Sequence, residues 1–272
     1  MDKILILLYH RILSKEDHLS KLRAHEKVYS LRESEFAKQL EHLYSNGWVT
    51  ISLNRLLKYL LHKTFPPYKC FLISFDDGNE TDYTKALPLL KEFGFKATFF
   101  LTSDFINKPG YLKKSQIQML SQEGMEFGSH GKTHKFLPTL NEKELKLELL
   151  ESKKTLEEII GKEVNLLSLP GGYHNSKVKR IASELGFRGI CTSKFGFNEN
   201  KTDPSELKRV PLKNGDSLSY FISLVNLDKI LFFKKKIKGN LLSLLKAVLG
   251  SNSYLKLWNL YQRKFSSFFI KD

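Results

Sequence analysis

The chain is organised around the stretch Phe71-Leu-Ile-Ser-Phe-Asp-Asp-Gly78, where an apolar run ends in two carboxylates and a glycine. Such a run is typical of a buried strand in a parallel sheet. Parallel α/β folds keep their chemistry at the carboxyl ends of the strands, where Asp76 and Asp77 stand. Neighbouring strand residues point to opposite sides, so one carboxylate could hold a metal ion while the other acts as a base. An ordinary strand-to-loop turn would also use Asp and Gly.

A second motif, Met125-Glu-Phe-Gly-Ser-His-Gly-Lys-Thr-His134, places two histidines four residues apart after a short apolar run. On one helical turn, imidazoles at this spacing face the same way and can bind one metal ion. Two histidines and one carboxylate leave coordination positions open for water and substrate, which suits catalysis better than a structural zinc site. The histidine pair alone would more often be a surface coincidence. Together with the Asp-Asp-Gly strand end, it predicts a catalytic metal centre.

The segments Ser74-Phe-Asp-Asp-Gly78 and His130-Gly-Lys-Thr-His134 resemble the first two motifs of the polysaccharide deacetylase family, the NodB-homology carbohydrate esterases. Leu169-Pro-Gly-Gly-Tyr173 follows in order and is similar to the family's Pro-x-Gly-aromatic loop. The resemblance covers the chain from about Lys3 to about Leu212. It implies a distorted (β/α) barrel, a divalent metal ion, and hydrolysis of N-acetyl, less often O-acetyl, groups on a sugar.

The resemblance also implies a role for each acid and histidine of the first two motifs. Asp77, His130 and His134 would hold one divalent ion, with Zn²⁺ expected and other first-row ions also compatible with this ligand set. Asp76 would be the general base that takes a proton from the attacking water.

The third motif is expected to form a substrate-binding loop of Pro170, Gly171 and Gly172, because glycine lets a backbone approach a ligand closely. In family terms the backbone amide of Tyr173 would stabilise the developing oxyanion. Without the other two motifs, this segment would be interpreted as a plain glycine-rich turn.

The opening strand ends in Leu7-Leu-Tyr-His10, which matches a family motif in an unexpected place. Most members carry Leu-x-x-His near the C-terminus of the domain, where the histidine is the general acid, and no such motif follows Tyr173 here. Some exopolysaccharide deacetylases resemble a circular permutation in which that strand comes first, which a closed barrel permits. We therefore expect this branch of the family, with His10 as the acid. A buried, hydrogen-bonded histidine at an ordinary strand end is the alternative.

Two departures from the family pattern concern the base and the acetyl pocket. Many members have an Arg two residues before the motif proline that braces the catalytic Asp, and Ser168 stands there in this chain. The base must then be oriented from elsewhere. The family's later Asp/Trp motif is not recognisable between Phe187 and Phe197.

Composition bounds the rest of the chain. With 272 residues and 41% apolar content, one barrel domain over residues 1–215 is expected, followed by an extension over 216–272. Cys70 and Cys191 lie in apolar runs and are expected to be core thiols. Apolar periodicity predicts helices alternating with strands, among them 34–45, 53–61, 79–93, 141–160 and 175–185. Residues 12–32 are polar and predict a long loop beside the barrel mouth.

The net charge of +15 suggests an anionic partner or surface, and the basic residues are dense towards the C-terminus. There, Trp258, Tyr261 and Phe265 alternate with Lys and Arg, as in amphipathic helices that lie on an anionic membrane. Helices packed against the barrel are the alternative. Nucleic acid is not expected, since no motif for it is present.

The expected partner is an acetylated amino-sugar glycan, free or lipid-linked. The segment Met1 to His10 lacks the features of a signal peptide, and no stretch is apolar enough to span a bilayer, so a cytoplasmic or peripheral membrane location is expected. Two other classes of function stay open: a glycan-binding protein with weakened catalysis, and a membrane-associated scaffold of a glycan-assembly system.

Overall fold

Parallel strands alternate with helices along the chain, in the order that the apolar pattern predicts. The computed structural model describes residues 3–235 and residue 237. The strands are β1 (Leu5–Tyr9), β2 (Arg11–Leu13), β3 (Ser30–Arg32), β4 (Val49–Thr50), β5 (Cys70–Asp77), β6 (Thr98–Leu101), β7 (Glu126–Ser129), β8 (Leu166–Ser168), β9 (Gly189–Phe195) and β10 (Leu207–Pro211). The helices are α1 (Ala24–Tyr29), α2 (Glu33–Ser45), α3 (Leu53–His62), α4 (Leu87–Glu92), α5 (Lys114–Gln122), α6 (Glu142–Ile160), α7 (Ser176–Glu184) and α8 (Leu218–Val225).

Seven of these strands close into a ring in the order β1-β10-β9-β8-β7-β6-β5, and β1 pairs with β5 to complete it. Each of these pairings is parallel. The predicted distorted (β/α) barrel is therefore confirmed. The first strand lies between the last one and the strand that carries the two acids, which is the neighbourhood that the permutation requires. That β1 corresponds to the family's last strand stays a prediction.

Alternation along the strands separates the barrel interior from its outer surface. The residues of one set form an apolar cluster together with Leu56 and Leu60 of α3: Ile6, Leu72, Phe100, Leu166 and Leu207. Residues of the opposite phase, such as Leu7, Ile73 and Phe99, belong to the larger cluster shared with the surrounding helices. The interior is thus apolar towards the amino ends of the strands, where α3 packs. Polar side chains of the same phase occupy the other end.

The segment over 12–32 differs from the predicted loop. It contains α1 and the short parallel pair of β2 and β3. Leu13 and Leu31 of this pair are buried, although charged residues surround them in the sequence. These few apolar residues were enough to pack the β2–β3 pair against the core. The two cysteines, Cys70 and Cys191, are free and buried, as predicted.

The predicted extension over 216–272 lies mostly outside the described residues. Within them, α8 buries Phe221, Leu224 and Val225 in the main core, and residues 229–235 are helical. The division at residue 215 stays a prediction. None of the helices in the described part of the chain combines the length and apolar character needed to cross a membrane.

Glu126, the first residue of β7, ties the sheet to α3. Its carboxylate accepts hydrogen bonds from the backbone amides of Leu53 (2.7 Å) and Asn54 (3.1 Å), from the Asn54 side chain (2.8 Å), and from the Thr98 hydroxyl (2.7 Å). A carboxylate at a helix amino end satisfies amides that have no partner in the helix.

We predict that Glu126→Gln lowers the free energy of unfolding by about 2 kcal/mol, because the amide turns an NH₂ group towards one pair of donors. Urea unfolding followed by circular dichroism measures this. The control is Glu123→Gln, at an exposed ion pair with Lys91, where a change within about 0.5 kcal/mol is expected. Equal effects of the two substitutions would mean that Glu126 has no special part in holding α3.

Candidate metal centre

Asp77, His130 and His134 converge at the carboxyl ends of the strands. Their ligand-type atoms all lie within 4.8 Å of one another. The Oδ1 atom of Asp77 is 3.5 Å from Nε2 of His130 and 3.3 Å from Nε2 of His134. Among the described residues, this Oδ1 atom is buried without a hydrogen-bond partner. Two imidazoles and a carboxylate aimed at one point fit a divalent ion with positions left for water and substrate.

The two histidines do not lie on a helical turn, so that part of the prediction is wrong. The segment after β7 is a loop in which Gly131 has φ +77° and His134 has φ +62°. Glu148 of α6 holds this loop by accepting hydrogen bonds from the Thr133 amide (2.6 Å) and hydroxyl (3.0 Å). The loop therefore brings both imidazoles to Asp77 by turns in the left-handed region, which residue spacing cannot reveal.

Hydrogen bonding and burial set the protonation states of His130 and Asp77. Nδ1 of His130 lies 2.8 Å from the carbonyl oxygen of Ser168, which can only accept, so Nδ1 carries the proton and Nε2 faces Asp77. Burial lowers the pKa of His130 to about 4, which keeps the imidazole neutral. Burial alone would raise the pKa of Asp77, but the contact with His134, 3.3 Å away, and the other nearby histidines outweigh it and lower the pKa. A neutral imidazole and an ionised carboxylate are the forms that bind metal.

Asp76 faces the barrel interior, with its Oδ2 atom 4.0 Å from Nε2 of His130, and it meets a residue that the sequence analysis missed. The Arg209 guanidinium donates from Nη1 to Oδ1 of Asp76 (2.7 Å) and from Nη2 to Oδ2 (2.8 Å). The Ser168 hydroxyl donates to Oδ2 of Asp76 (3.0 Å) and accepts from Nη2 of Arg209 (2.8 Å). All three side chains are buried. Burial alone would raise the pKa of Asp76, but the Arg209 charge and hydrogen bonds lower it.

Arg209 supplies the brace that Ser168 cannot. It lies on β10 two residues after Leu207, whose side chain is in the barrel interior. Strand alternation was therefore the sequence signal that could have identified Arg209 as an interior residue. That signal indicates which side a residue faces, and the register around the closed ring then brings Arg209 to Asp76. The predicted need for orientation from elsewhere is thereby met.

His10 follows β1 and lies beside the two carboxylates. Because Tyr9 pairs with Phe75, the next position in register is level with Asp76. The His10 ring stacks on Tyr29, with centroids 4.8 Å apart, and its Nδ1 atom is buried without a hydrogen-bond partner among the described residues. Burial raises the pKa of both carboxylates, and His10 is one of the neighbours that lower it, after Arg209 and His130 at Asp76 and after His134 at Asp77.

The loop of Pro170, Gly171 and Gly172 forms a short 3₁₀ turn after β8. A Cβ atom at Gly172 would lie 2.2 Å from Cβ of Ser193, so glycine is required there by the approach of β9. This differs from the predicted reason, which was the approach of a ligand. The Tyr173 ring packs against Phe136 at 5.2 Å between centroids. These contacts fix the loop beside the centre.

Sequence comparisons point to one group of proteins. A family model described as polysaccharide deacetylase matches residues 63–190. YxkH of Bacillus subtilis, whose name assigns it to the polysaccharide deacetylases, is 30% identical over 219 residues. These residues cover 80% of this chain and 75% of that protein. A poly-β-1,6-N-acetyl-D-glucosamine N-deacetylase of Staphylococcus epidermidis is 30% identical over 140 residues, covering 47% of this chain and 48% of the relative. The chain thus spans three quarters of one relative and about half of the other.

A solved structure agrees with the architecture. A Streptococcus pyogenes deacetylase in complex with acetate aligns with a TM-score of 0.75 and 22% identity, over 81% of this chain and 97% of that chain. At this identity the likeness shows a shared fold.

We predict that Arg209→Gln lowers the free energy of unfolding by about 3–5 kcal/mol near neutral pH, because it leaves the buried Asp76 carboxylate without its cationic partner. In the parent, the pKa of Asp76 is depressed, so the pair contributes stability above the ordinary value of 3.8 and loses it as pH falls through the depressed pKa. In the variant, burial instead raises the pKa of Asp76, so the variant is destabilised as pH rises through that raised pKa. The loss is therefore expected to be larger at about pH 7 than at about pH 5.

Urea unfolding of the metal-free protein at both pH values measures this difference. Arg180→Gln, at an exposed pair with Glu142 and Glu184, is the control and should change stability by less than about 0.5 kcal/mol. A loss that is the same at both pH values would show that Arg209 acts through packing and not through its charge.

Proposed function

This chain belongs to the polysaccharide deacetylase family, and on that premise we propose that it is a metal-dependent hydrolase that removes N-acetyl groups from an amino-sugar glycan. The observation that most supports this is that two neighbouring carboxylates have different main partners. Asp77 faces two histidines, while Asp76 is ionised and held by Arg209. A site for a divalent ion and a site for a base thus lie one residue apart.

Asp77, His130 and His134 would hold the ion, and Zn²⁺ is the expected one. When bound, it supplies Lewis-acid polarisation of the acetyl carbonyl and lowers the pKa of water. The chain prepares this site by keeping His130 neutral, by directing its Nε2 atom through the Ser168 carbonyl, and by keeping Asp77 ionised.

Proton transfers are assigned to the chain's own side chains. Asp76 accepts the proton of the attacking water, and Arg209 keeps this carboxylate ionised and fixed in orientation. His10, beside both carboxylates, donates a proton to the amine that leaves with the sugar. The Tyr173 amide donates a hydrogen bond to the developing oxyanion. The fixed position of the Tyr173 loop against β9 supports this last role.

The substrate we propose is a polymer that contains N-acetylglucosamine. The name of the staphylococcal relative gives that sugar as the substrate of that protein. The net charge of +15 favours a glycan on an anionic support, including a lipid-linked one. Ile230, Phe233 and Ile237 are more than half exposed and lie near Lys234 and Lys235, which supports peripheral contact with an anionic membrane.

The alternative of a glycan-binding protein with weakened catalysis is not favoured. It depended on Ser168 standing in place of the family's Arg, and Arg209 supplies a guanidinium to the same carboxylate. The proposed general base, Asp76, therefore has a cationic partner, and the catalytic function is favoured.

The test measures bound metal and acetate release from β-1,4- and β-1,6-linked N-acetylglucosamine oligomers. We expect Asp77→Ala to lose both metal and activity. His10→Ala should keep the metal and lower kcat about 100-fold to 10,000-fold, the contribution of one general acid. His62→Ala, on the exposed end of α3, is the matched control and should change neither quantity.

Each contrary outcome removes a defined part of the proposal. A parent protein that binds no divalent ion would contradict the metal-dependent hydrolase. Full activity in His10→Ala would leave the hydrolase standing but assign the acid to another residue. Acetate release that persists in Asp77→Ala would separate the reaction from the metal site.

A further inference from the structure

A segment that the motifs do not include joins the two loops that carry the metal-ligand candidates. We call residues 103–112 the bridging segment. It forms four backbone hydrogen bonds to those loops: Ser103 N to Gly131 O (3.2 Å), Asp104 N to Lys132 O (2.9 Å), Glu80 N to Gly110 O (3.0 Å) and Leu112 N to Gly78 O (3.0 Å). The bridging segment is thus fixed to the residues after Asp77 at one end and after His130 at the other.

Two aromatic rings project from the bridging segment beside the centre. Phe105 lies 6.2 Å from the His134 ring, nearly parallel at 27°, and 4.6 Å from the Tyr111 ring. Nζ of Lys108 is 5.6 Å from the Phe105 centroid. Phe105 therefore packs against His134 and Lys108 as well as Tyr111. Tyr111, in contrast, contacts no aromatic ring other than Phe105 in the part of the chain that the structure describes. Both rings are only partly buried.

Polar groups surround the Tyr111 hydroxyl. Burial raises the pKa of Tyr111, the Asp77 charge raises it further, and the Arg23 charge opposes that. The hydroxyl is thus within electrostatic reach of a metal-ligand candidate and of a cation from the segment before α1. Arg23 donates to Glu26 (3.0 Å), and two thirds of its side chain stays exposed. Hydrogen bonds to Glu26 and to the Tyr111 side chain raise the pKa of Arg23, so a guanidinium lies at the rim of the partly exposed Tyr111 ring.

We propose that Tyr111, backed by Phe105 and flanked by Arg23, is a binding subsite for the pyranose ring next to the sugar that loses its acetyl group. The inference rests on the proposed function and deepens it, because it makes the substrate an oligomer or polymer. A pyranose has apolar C–H faces and polar edges, and it is matched by an aromatic face with hydrogen-bond donors at its rim.

The position of Tyr111 favours the neighbouring sugar over the reacting one. The acetyl carbonyl must reach the atoms of Asp77, His130 and His134. Phe105 contacts the His134 ring directly, and Tyr111 contacts Phe105, so Tyr111 stands one ring farther from His134. A ring needed only for packing would be expected in the core, and the bridging segment is already held by its backbone.

The experiment compares the metal-loaded full chain with Tyr111→Ala and Tyr111→Phe on monomeric N-acetylglucosamine and on its pentamer. For Tyr111→Ala we expect KM for the pentamer to rise about tenfold, the effect of one aromatic contact, while kcat changes less than about twofold. The monomer should be cleaved as by the parent, and bound metal should be unchanged. Tyr111→Phe should keep most of the pentamer affinity, because it retains the ring. Tyr68→Ala, at an exposed tyrosine before β5 and therefore at the opposite end of the barrel, is the control.

Titration calorimetry of the pentamer keeps the two proposals distinguishable. If the parent binds the pentamer and releases no acetate, the proposed function fails, and weaker binding by Tyr111→Ala still supports the subsite. Equal binding by the parent and Tyr111→Ala overturns the subsite. Equal losses on monomer and pentamer would overturn it too, since they would place Tyr111 at the reacting sugar. Loss of metal in Tyr111→Ala would reveal a structural role instead.

Discussion

The buried pair of Asp76 and Arg209 is the interaction on which the rest of the site depends. A carboxylate and a guanidinium inside a barrel lose their hydration, and only close, bidentate geometry offsets that cost. Their two bonds of 2.7 and 2.8 Å join β5 to β10, strands far apart in sequence. The register of the closed ring is therefore tied to the orientation of the base. A slip of either strand would leave a charge buried without a partner.

Ser168 connects this interior pair to the metal centre. Its hydroxyl bonds Asp76 and Arg209, and its carbonyl oxygen fixes the tautomer of His130. One small residue thus contacts the partners of both carboxylates, and Nε2 of His130 lies 4.0 Å from Asp76 and 3.5 Å from Asp77. A longer side chain at this position would meet the Arg209 guanidinium, whose Nη2 atom lies 2.8 Å from the Ser168 hydroxyl. The departure from the family pattern at residue 168 is accompanied by a compensating residue on another strand.

The two ends of the barrel interior differ in composition and in role. Towards the amino ends, apolar side chains and α3 fill the interior, and Glu126 fastens that helix to the sheet. Towards the carboxyl ends the interior becomes polar and meets loops built from left-handed residues such as Gly131 and His134. The apolar end supplies rigidity, so the loops at the other end can take unusual conformations and still hold their side chains in place. The bridging segment adds backbone hydrogen bonds between two of these loops.

Motif order and apolar alternation are local properties of the sequence. Together with the family resemblance that the motifs carry, they predicted the barrel class, the strand that carries the acids, and the grouping of Asp77, His130 and His134. The sequence also indicated that Asp76 and Asp77 differ in role. The residue that braces Asp76 is evident only from the fold, since Arg209 reaches it across the ring. The tertiary structure also decided how the histidine loop turns and why Gly172 must lack a side chain. These features depend on distances between segments remote in sequence and on backbone angles, which a one-dimensional pattern does not contain.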